Sequence, residues 1–366
     1  MLRGEGDMVR YIVKITGVVQ GVGFRPFVYR LARSMGITGW VGNLGSGVVI
    51  EAEGPREVLD SFLASVKNDA PVLAKIKDFI TSEDILSGYA SFNIRESAFL
   101  REDNIYISPD TSICSNCEHE LFDKDNRRYL YPFINCTDCG PRFTIVRGLP
   151  YDRINTTMSS FEMCESCSSE YHNPDDRRYH AQPVSCRSCG PELKLLDNAG
   201  KEINIKDIIG FVRKRLIEGS IISIKGLGGF HLACNALNND AVTTLRRRKI
   251  RDDKPFALMV RDTGIASRYC YINNEEKGLL ESAGRPIVLL KKKPGCPLPQ
   301  QIAPNNPYLG IMLPYTPLHL LLLESVENNQ ASPEVLVMTS GNRSSEPIYY
   351  RDDEAVDGLK GIADYF

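Results

Sequence analysis

"RRYLYPFINCTDCGP" at residues 127–141 is followed by "RRYHAQPVSCRSCGP" at residues 177–191, and this doubled segment decides the fold of the middle of the chain. Eleven of the 28 positions from Cys114 to Pro141 recur identically fifty residues later. Each copy carries two C-x-x-C pairs separated by eighteen residues, a spacing typical of tetrahedral zinc held by four cysteines. The eight predicted zinc ligands are Cys114, Cys117, Cys136, Cys139, Cys164, Cys167, Cys186 and Cys189.

The pattern predicts two zinc ions with a structural role. A catalytic zinc ion needs an open coordination position, and four sulfurs leave none. We expect pairing within each repeat, although a crossed pairing of outer and inner C-x-x-C pairs would use the same residues. The region 108–195 lacks a sustained apolar period, so we expect zinc binding to supply about 10 kcal/mol of its folding free energy per site.

The composition excludes several classes of protein. With 366 residues, of which 42% are hydrophobic and 25% charged, two or three globular domains are expected. The net charge of -2 argues against a whole-protein basic field for nucleic acid or an anionic membrane. No segment approaches the ~18 apolar residues of a membrane span, so we expect a cytoplasmic protein without a membrane partner. In that reducing compartment, paired cysteines are more often metal ligands than disulfides.

The first hundred residues carry an alternation of strand and helix patterns. "VRYIVKITG" places Val9, Tyr11, Val13 and Ile15 on one face, which predicts a half-buried strand. A helix over about residues 25–35, a hairpin around "LGSG", an amphipathic helix in "PREVLDSFLASV" and a last strand in "VLAKIKDF" follow. The order β-α-β-β-α-β is that of a ferredoxin-like sandwich.

The loop "QGVGFR", residues 20–25, is the first candidate site. Its two glycines allow successive N–H groups to curl inward at a helix N-terminus, and Arg25 adds a charged fork that suits phosphate. A glycine-rich turn with a surface arginine is the plainer interpretation of the loop by itself.

After residue 200 the chain alternates helix patterns with short buried strands. One helix pattern, in "NNDAVTTLRRRKIRDDKPFALMV", ends in six Lys and Arg residues that outweigh Asp252 and Asp253 by four. This cluster suits a polyphosphate, although an exposed charged helix face would carry the same residues. "TSGN" after the strand "VLVM" offers a hydroxyl, an amide and free N–H groups. Neither a Walker A loop nor a Rossmann fingerprint is present.

"GVVQGVGFRPFVYRLA" together with "GWVGNLGSGVVIEAEGP" resembles the acylphosphatase family over about residues 9–97. The resemblance implies that Arg25 and the loop amides hold the phosphate and that Asn43 orients the attacking water. Transition-state charge would then be met by preorganised donors, without a nucleophilic side chain. The phosphate-binding residues that the resemblance implies are Gln20, Gly21, Val22, Gly23 and Phe24.

The pieces after residue 200 resemble the YrdC-like α/β fold of threonylcarbamoyl-adenylate synthases. The K-x-R signature of that fold matches Lys249 and Arg251, and its S-x-N signature matches Ser340 and Asn342. The resemblance implies that these residues grip the phosphates of ATP, which arrives with Mg²⁺, and the adenylate that forms. The further lining residues that it implies are His231, Lys254 and Arg285.

Together, these units resemble the NiFe-hydrogenase maturation carbamoyltransferases, the HypF family, as do "LPYDRINTTM" and "PYTPLHLLLL". The expected domains are acylphosphatase-like at 1–97, tandem zinc-finger at 108–195 and YrdC-like, nucleotide-binding at 200–366. The resemblance implies a multidomain α+β and α/β enzyme that hydrolyses carbamoyl phosphate to carbamate and activates carbamate with ATP as carbamoyl adenylate. The zinc block would be the frame between the two sites. The resemblance also implies a partner, HypE, reached through a C-terminal transferase domain that we expect to be missing here.

Two rival functions fit parts of the sequence. One is an acylphosphatase fused to binding modules without ATP chemistry. The other is a zinc-dependent chaperone that binds RNA or protein. Acidic residues accompany the Arg-Arg-Tyr of each repeat, and no basic stripe with interleaved aromatic residues is present, so we expect no nucleic-acid partner.

Overall fold

The computed structural model describes residues 7–44, 47–95, 108–149, 151–324, 331–344 and 346–366. Its contacts divide the chain into two compact units. The first unit contains residues 1–117 and 134–190, and the second contains residues 118–133 and 191–366. All eight cysteines of the doubled segment therefore belong to the first unit. Among the described residues, no helix has the length and apolar character that a membrane crossing requires.

The first unit contains a five-stranded sheet in the order β4-β1-β3-β2-β5. Its pairs are antiparallel except for the parallel pair of β2 and β5. The elements are β1 (Met8–Val18), α1 (Phe24–Ser34), β2 (Thr38–Leu44), β3 (Gly47–Pro55), α2 (Arg56–Asn68), β4 (Lys75–Asp84) and β5 (Phe92–Ile94). The predicted β-α-β-β-α-β order is therefore confirmed, with β5 as an additional edge strand that the sequence patterns did not indicate.

The core of this sheet follows from the alternation in β1. Val9, Tyr11, Val13 and Ile15 are buried and pack with apolar residues of both helices, such as Val28 of α1. The predicted last strand, "VLAKIKDF" at residues 72–79, overlaps β4, but β4 starts later, at Lys75, and extends further, to Asp84. The pairing of β4 with β1 explains the extension, because ladder hydrogen bonds continue where apolar alternation has ended. The middle of the "LGSG" turn, residues 45 and 46, lies outside the described residues.

The doubled cysteine segment contains little regular structure, as the sequence predicted. Two short helices, α3 (Ser115–Phe122) and α4 (Glu165–His172), begin just after the first cysteine of each repeat. The remaining ordered elements are single 3-10 turns such as Thr137–Cys139. With so little regular structure in this region, we expect its packing to depend on metal bound at its sulfur clusters.

The second unit is built on a six-stranded sheet in the order β6-β7-β11-β8-β10-β9. Among its described strands, β10 and β8 pair in parallel and the other pairs are antiparallel. Its strands are β6 (Ile222–Lys225), β7 (Phe230–Asn235), β8 (Ala257–Val260), β9 (Val288–Lys291), β10 (Tyr308–Met312) and β11 (Val335–Ser340). Its helices are α5 (Ile208–Ile217), α6 (Asn239–Lys249), α7 (Thr263–Tyr269), α8 (Asn274–Glu281), α9 (Pro317–Leu323) and α10 (Asp352–Leu359).

Both faces of this sheet are buried. Val335 and Val337 of β11 pack into one apolar cluster, which includes α6, α7 and α10. Leu336 and Met338 of the same strand pack into the other, which includes α5 and α9. This explains why the strand is a continuous apolar run rather than an alternating one. The predicted α/β class of this unit is confirmed.

Candidate functional site

Each cysteine repeat gathers its four sulfurs into one cluster, with all ligand atoms within 4.8 Å of one another. The measured Sγ–Sγ distances are 3.6 Å for Cys114–Cys136, 3.8 Å for Cys164–Cys186 and 3.6 Å for Cys167–Cys189. A tetrahedron with Zn–S bonds of about 2.3 Å has edges of about 3.8 Å, whereas a disulfide bond measures about 2.05 Å. The donor set and spacing therefore fit zinc, with pairing inside each repeat.

Hydrogen bonds around the sulfurs favour thiolates. The Cys117 backbone N–H donates to Cys114 Sγ over 3.4 Å, and Arg177 Nη1 donates to Cys117 Sγ over 3.3 Å. In the second cluster, the backbone hydrogen bond from Cys167 lowers the pKa of Cys164 to about 6. Because Arg177 belongs to the second repeat, that repeat reaches the first cluster directly.

The predicted phosphate loop has the required backbone shape. Gly21 and Gly23 have φ values of 72° and 74°, in the left-handed region that favours glycine. Gly23 is the N-cap of α1, so the free N–H groups of the first helical turn begin at this loop. Val22 and Phe24 alternate with the glycines and are buried in the sheet core, which anchors the loop.

The same loop is covered by residues of the zinc region. A side chain added at Gly21 would lie 3.3 Å from Pro141 and 3.7 Å from Tyr151. One added at Gly23 would lie 3.3 Å from Oγ1 of Thr137, which lies inside the second C-x-x-C pair of the first repeat. Two features favour glycine at these positions: the left-handed backbone conformation and the short distance to residues of the zinc region. The sequence predicted only the first of these features.

Arg25 lies in the first turn of α1, half-buried, and makes no hydrogen bond or salt bridge to any residue in the described part of the chain. Burial lowers its pKa, while Tyr179, Asp152 and Tyr171 act in the opposite direction. Burial and the charge of Arg25 lower the pKa of His180 to about 4, so this imidazole is neutral at pH 7. The charge of Arg25 thus faces residues from the second repeat and the segment between the repeats.

The residues that face Arg25, among them Tyr171 and His180, form one wall of the predicted phosphate site. Hydrogen bonds and ring stacking hold this wall in place. Gln182 Oε1 accepts from the backbone N–H of Arg153 over 2.7 Å and from the Tyr171 hydroxyl over 2.8 Å. The Tyr171 ring stacks on the His180 ring, with centroids 5.0 Å apart and planes 18° apart. One difference between the repeats could have indicated this wall in the sequence. Leu130 and His180 occupy equivalent positions of the two repeats, and only the second repeat has a histidine there. Both residues have the same backbone conformation, with φ values of 53° and 54°.

Asn43 lies near the end of β2, opposite Val48 of β3. Gln20 ties the phosphate loop to the same hairpin, because its Nε2 donates to the Gly47 carbonyl over 2.9 Å. The structure therefore joins the loop to the strand end that carries Asn43. The catalytic role of Asn43 stays a prediction.

In the second unit, the two predicted nucleotide signatures meet. Lys249 Nζ donates to the Ser340 carbonyl over 2.6 Å, to the Asn342 carbonyl over 2.7 Å and to Asn342 Oδ1 over 2.6 Å. The Ser340 hydroxyl donates to the same Oδ1 over 2.8 Å. Burial, then the charges of Arg251 and Lys254, lower the pKa of Lys249 to about 8, so the ammonium persists at neutral pH.

Of the other predicted nucleotide-binding residues, Arg251, Lys254 and His231 lie beside the cluster of Lys249, Ser340 and Asn342, whereas no described contact joins Arg285 to it. Arg251 Nε donates to the Lys254 carbonyl over 2.9 Å, which orders the loop after α6 beside Lys249. His231 on β7 is the direct ladder partner of Ser340. Arg285 lies after α8, where its Nη1 donates to the Leu280 carbonyl over 3.3 Å and its charged neighbours are Glu118, Glu281 and Arg261. None of these described contacts joins Arg285 to Lys249, and its role in nucleotide binding stays a prediction.

Family models match the chain in the order that the fold suggests. The Acylphosphatase model matches residues 11–94, and the HypF finger model matches residues 113–146 and 163–196. The model for Sua5, YciO and YrdC proteins, described as Telomere recombination, matches residues 214–366.

Curated relatives and solved structures match nearly all of this chain. It is 50% identical over 372 residues to Carbamoyltransferase HypF2 of Cupriavidus necator, covering 98% of this chain and 46% of that protein. It is 48% identical over 355 residues to Carbamoyltransferase HypF of Synechocystis, covering 97% and 45%. A crystal structure of full-length HypF in its phosphate- and nucleotide-bound form matches with a TM-score of 0.90 and 46% identity, covering 100% of this chain and 47% of that one. The chain thus spans about half the length of these relatives.

Proposed function

The chain belongs to the HypF family of carbamoyltransferases, and from this premise we propose that it prepares carbamoyl groups for the maturation of NiFe hydrogenases. Its first unit would hydrolyse carbamoyl phosphate to carbamate and phosphate. Its second unit would convert carbamate and ATP to carbamoyl adenylate and pyrophosphate. The observation that carries the proposal is the presence, in one chain, of the Arg25 loop and of the Lys249–Ser340–Asn342 cluster.

In the first reaction, the loop N–H groups and Arg25 would bind the phosphate oxygens. Arg25 is suited to this role, because its guanidinium is half-buried and forms no ion pair within the described residues. Asn43 would orient a water molecule whose oxygen forms the new bond to phosphorus. The bond between phosphorus and the carbamoyl oxygen breaks, and carbamate leaves with the electron pair.

In the second reaction, a carbamate oxygen would attack the α-phosphorus of Mg-ATP, and pyrophosphate would leave. Lys249, Arg251 and Lys254 supply the positive charge that a triphosphate requires, while Ser340 and Asn342 fix the ammonium of Lys249. Mg²⁺ arrives as part of the substrate and neutralises charge on the phosphates. A solved full-length HypF, of which this chain covers 47%, carries bound phosphate and nucleotide, which supports nucleotide binding within the family.

The two sulfur clusters would carry zinc with a structural role. Thr137 and Pro141 of the first repeat cover the phosphate loop, and His180 of the second repeat faces Arg25. The zinc region therefore builds part of the first site as well as framing it. Carbamate decomposes readily in water, so a covered site also protects the product.

Transfer of the carbamoyl group to HypE would require parts of the full-length relatives that lie outside the match. About half of their length is not covered by this chain. We assign the transfer step and the contact with HypE to that portion.

Isotope exchange tests the proposal directly. The chain is incubated with Mg-ATP, labelled pyrophosphate and carbamoyl phosphate, and label returning to ATP is measured. We expect exchange that requires carbamoyl phosphate, because only reversible adenylate formation returns pyrophosphate to ATP. Carbamoyl phosphate hydrolysis without exchange would instead support the acylphosphatase with binding modules.

Arg25→Ala separates the two steps. This variant should lose exchange driven by carbamoyl phosphate but retain exchange driven by ammonium carbamate, which bypasses the first site. Equal loss with both carbamate sources would contradict the division of labour between the two units.

A further inference from the structure

Three polar side chains form a cluster on one face of the second sheet. His231 projects from β7, Tyr315 precedes α9, and His319 lies on α9. The Tyr315 and His319 rings are 4.6 Å apart between centroids, and the His231 and His319 rings are 6.3 Å apart. The Tyr315 hydroxyl and His231 Nε2 are 3.4 Å apart. We call these three residues the histidine cluster.

The histidine cluster is buried but incompletely hydrogen-bonded. His319 is 1% exposed, and within the described residues neither of its ring nitrogens has a hydrogen-bond partner. His231 Nδ1 is also buried without a described partner. Unbonded buried polar atoms destabilise a fold, and they are rare enough that each requires an explanation. Leu322 and Leu323 lie three and four residues after His319, on the same side of α9, and both are buried in the apolar cluster of this sheet face, so this helix face accepts apolar side chains.

The cluster lies next to the predicted nucleotide site. His231 and Ser340 are direct partners in the antiparallel ladder of β7 and β11, so their side chains are on the same face of the sheet. Ser340 in turn accepts a hydrogen bond from Lys249 and donates one to Asn342. His231 therefore borders the residues proposed to hold ATP, and the His319 ring lies next to His231, with ring centroids 6.3 Å apart.

The charge state of the cluster restricts what it can bind. Burial lowers the pKa of His231, and burial together with His231 lowers the pKa of His319 to about 3. Burial raises the pKa of Tyr315 to about 12. At pH 7 all three groups are neutral, so each imidazole offers one N–H donor and one lone pair. A mixed set of donors and acceptors fits a small planar group that carries both an amino group and a carboxylate.

We propose that His231, Tyr315 and His319 form the subsite that binds carbamate for its attack on ATP. This inference rests on the proposed function, and it assigns the recognition of carbamate to residues other than the cationic Lys249 group. The N–H and O–H donors would bind the carbamate oxygens, and an imidazole lone pair would accept from the carbamate amino group. Recognition of both groups would favour carbamate over bicarbonate and acetate, which lack the amino donor.

The test uses His319→Leu and Tyr315→Phe in the full 366-residue zinc-loaded chain. Pyrophosphate exchange is driven by ammonium carbamate, so that the first unit is not required. Each variant should raise the KM for carbamate by about tenfold, the effect of one lost hydrogen bond, and leave the KM for ATP unchanged. His319→Leu should also raise the melting temperature, because it removes two unbonded buried nitrogens. Tyr271→Phe is the matched control, because Tyr271 belongs to the same unit and is 52% exposed. It should change neither the KM for carbamate nor the melting temperature.

The outcomes separate the subsite from a structural role. A higher melting temperature of His319→Leu with an unchanged KM for carbamate would overturn the subsite, since the histidine would then bind only internal water. His319→Gln, which keeps one donor and one acceptor, should recover part of the affinity if His319→Leu folds poorly.

Binding can also be followed without turnover, through the ¹⁵N-histidine resonances during an ammonium carbamate titration. Saturable shifts of the His319 signals in a chain without exchange would contradict the proposed function and support the subsite. Absence of any shift at saturating carbamate would overturn the subsite.

Discussion

Lys249 is the residue at which stability and function should conflict most clearly. Its side chain is 3% exposed, and its ammonium donates to three oxygens of Ser340 and Asn342. Burial, with the charges of Arg251 and Lys254, lowers its pKa from an ordinary 10.5 to about 8. The protein therefore holds a charge at neutral pH that its surroundings disfavour. We expect Lys249→Met to abolish carbamate-dependent exchange.

The same pKa shift sets a pH dependence of stability. The difference between 10.5 and about 8 corresponds to about 3 kcal/mol of free energy that opposes folding while the lysine is charged. Between these pH values the unfolded chain binds more protons than the folded one, so the free energy of unfolding rises with pH. Below pH 8 the penalty is fully present. Lys249→Met removes this contribution, although it also loses three hydrogen bonds.

Urea unfolding of wild type and of Lys249→Met at pH 7, 8, 9 and 10, followed by circular dichroism, measures the contribution of the Lys249 pKa shift to stability. Other titrating groups contribute equally to both proteins, so only the difference between their unfolding free energies is informative. We expect wild type to gain about 2 to 3 kcal/mol relative to Lys249→Met across this range. Lys214→Met, at an exposed lysine of α5, should show a constant difference from wild type. A constant difference for Lys249→Met as well would refute the electrostatic reasoning.

Four further predictions concern the other candidate residues. Arg25→Ala should lower the kcat/KM for carbamoyl phosphate by at least about a hundredfold without changing the melting temperature, since this arginine makes no described ion pair. Cys136→Ser should reduce bound zinc, measured by mass spectrometry of metals, from two per chain toward one; an unchanged count would contradict the assigned cluster. Ser340→Ala with Asn342→Ala should weaken ATP binding in calorimetry and spare carbamoyl phosphate hydrolysis, and the reverse pattern would show a wrong assignment. His180→Ala should increase hydrolysis of bulky benzoyl phosphate relative to carbamoyl phosphate, because it opens the wall that faces Arg25; an unchanged ratio would exclude a role in specificity.

The sequence predicted best what depends on local spacing. The C-x-x-C pairs place two sulfurs within one turn of chain, and the alternation in β1 places Val13 and Ile15 in the core. The meeting of Lys249 with Ser340, 91 residues later, was predictable only through the resemblance to a known fold. No periodicity indicates such a contact, because it depends on the order of strands in the sheet.

The wall around Arg25 was missed for a related reason. The sequence predicts the zinc block only as a frame and singles out neither Tyr171 nor His180, because the shared cysteines carry the pattern and these two residues differ between the copies. Nothing in the spacing indicates that the second repeat faces a loop about 150 residues earlier. The unbonded nitrogens of His319 were equally invisible, because a histidine within a leucine-rich helix has no distinctive pattern.

The doubling of the cysteine segment can now be explained by what each copy contacts. The first copy presents Thr137 and Pro141 to the glycines of the phosphate loop. The second copy presents His180 to Arg25 and sends Arg177 back to the first sulfur cluster, where the Arg177 carbonyl also accepts from the Thr137 hydroxyl over 2.9 Å. Neither copy makes all of these contacts by itself. Residues that differ between the two copies, rather than their shared cysteines, therefore determine what faces the predicted phosphate site.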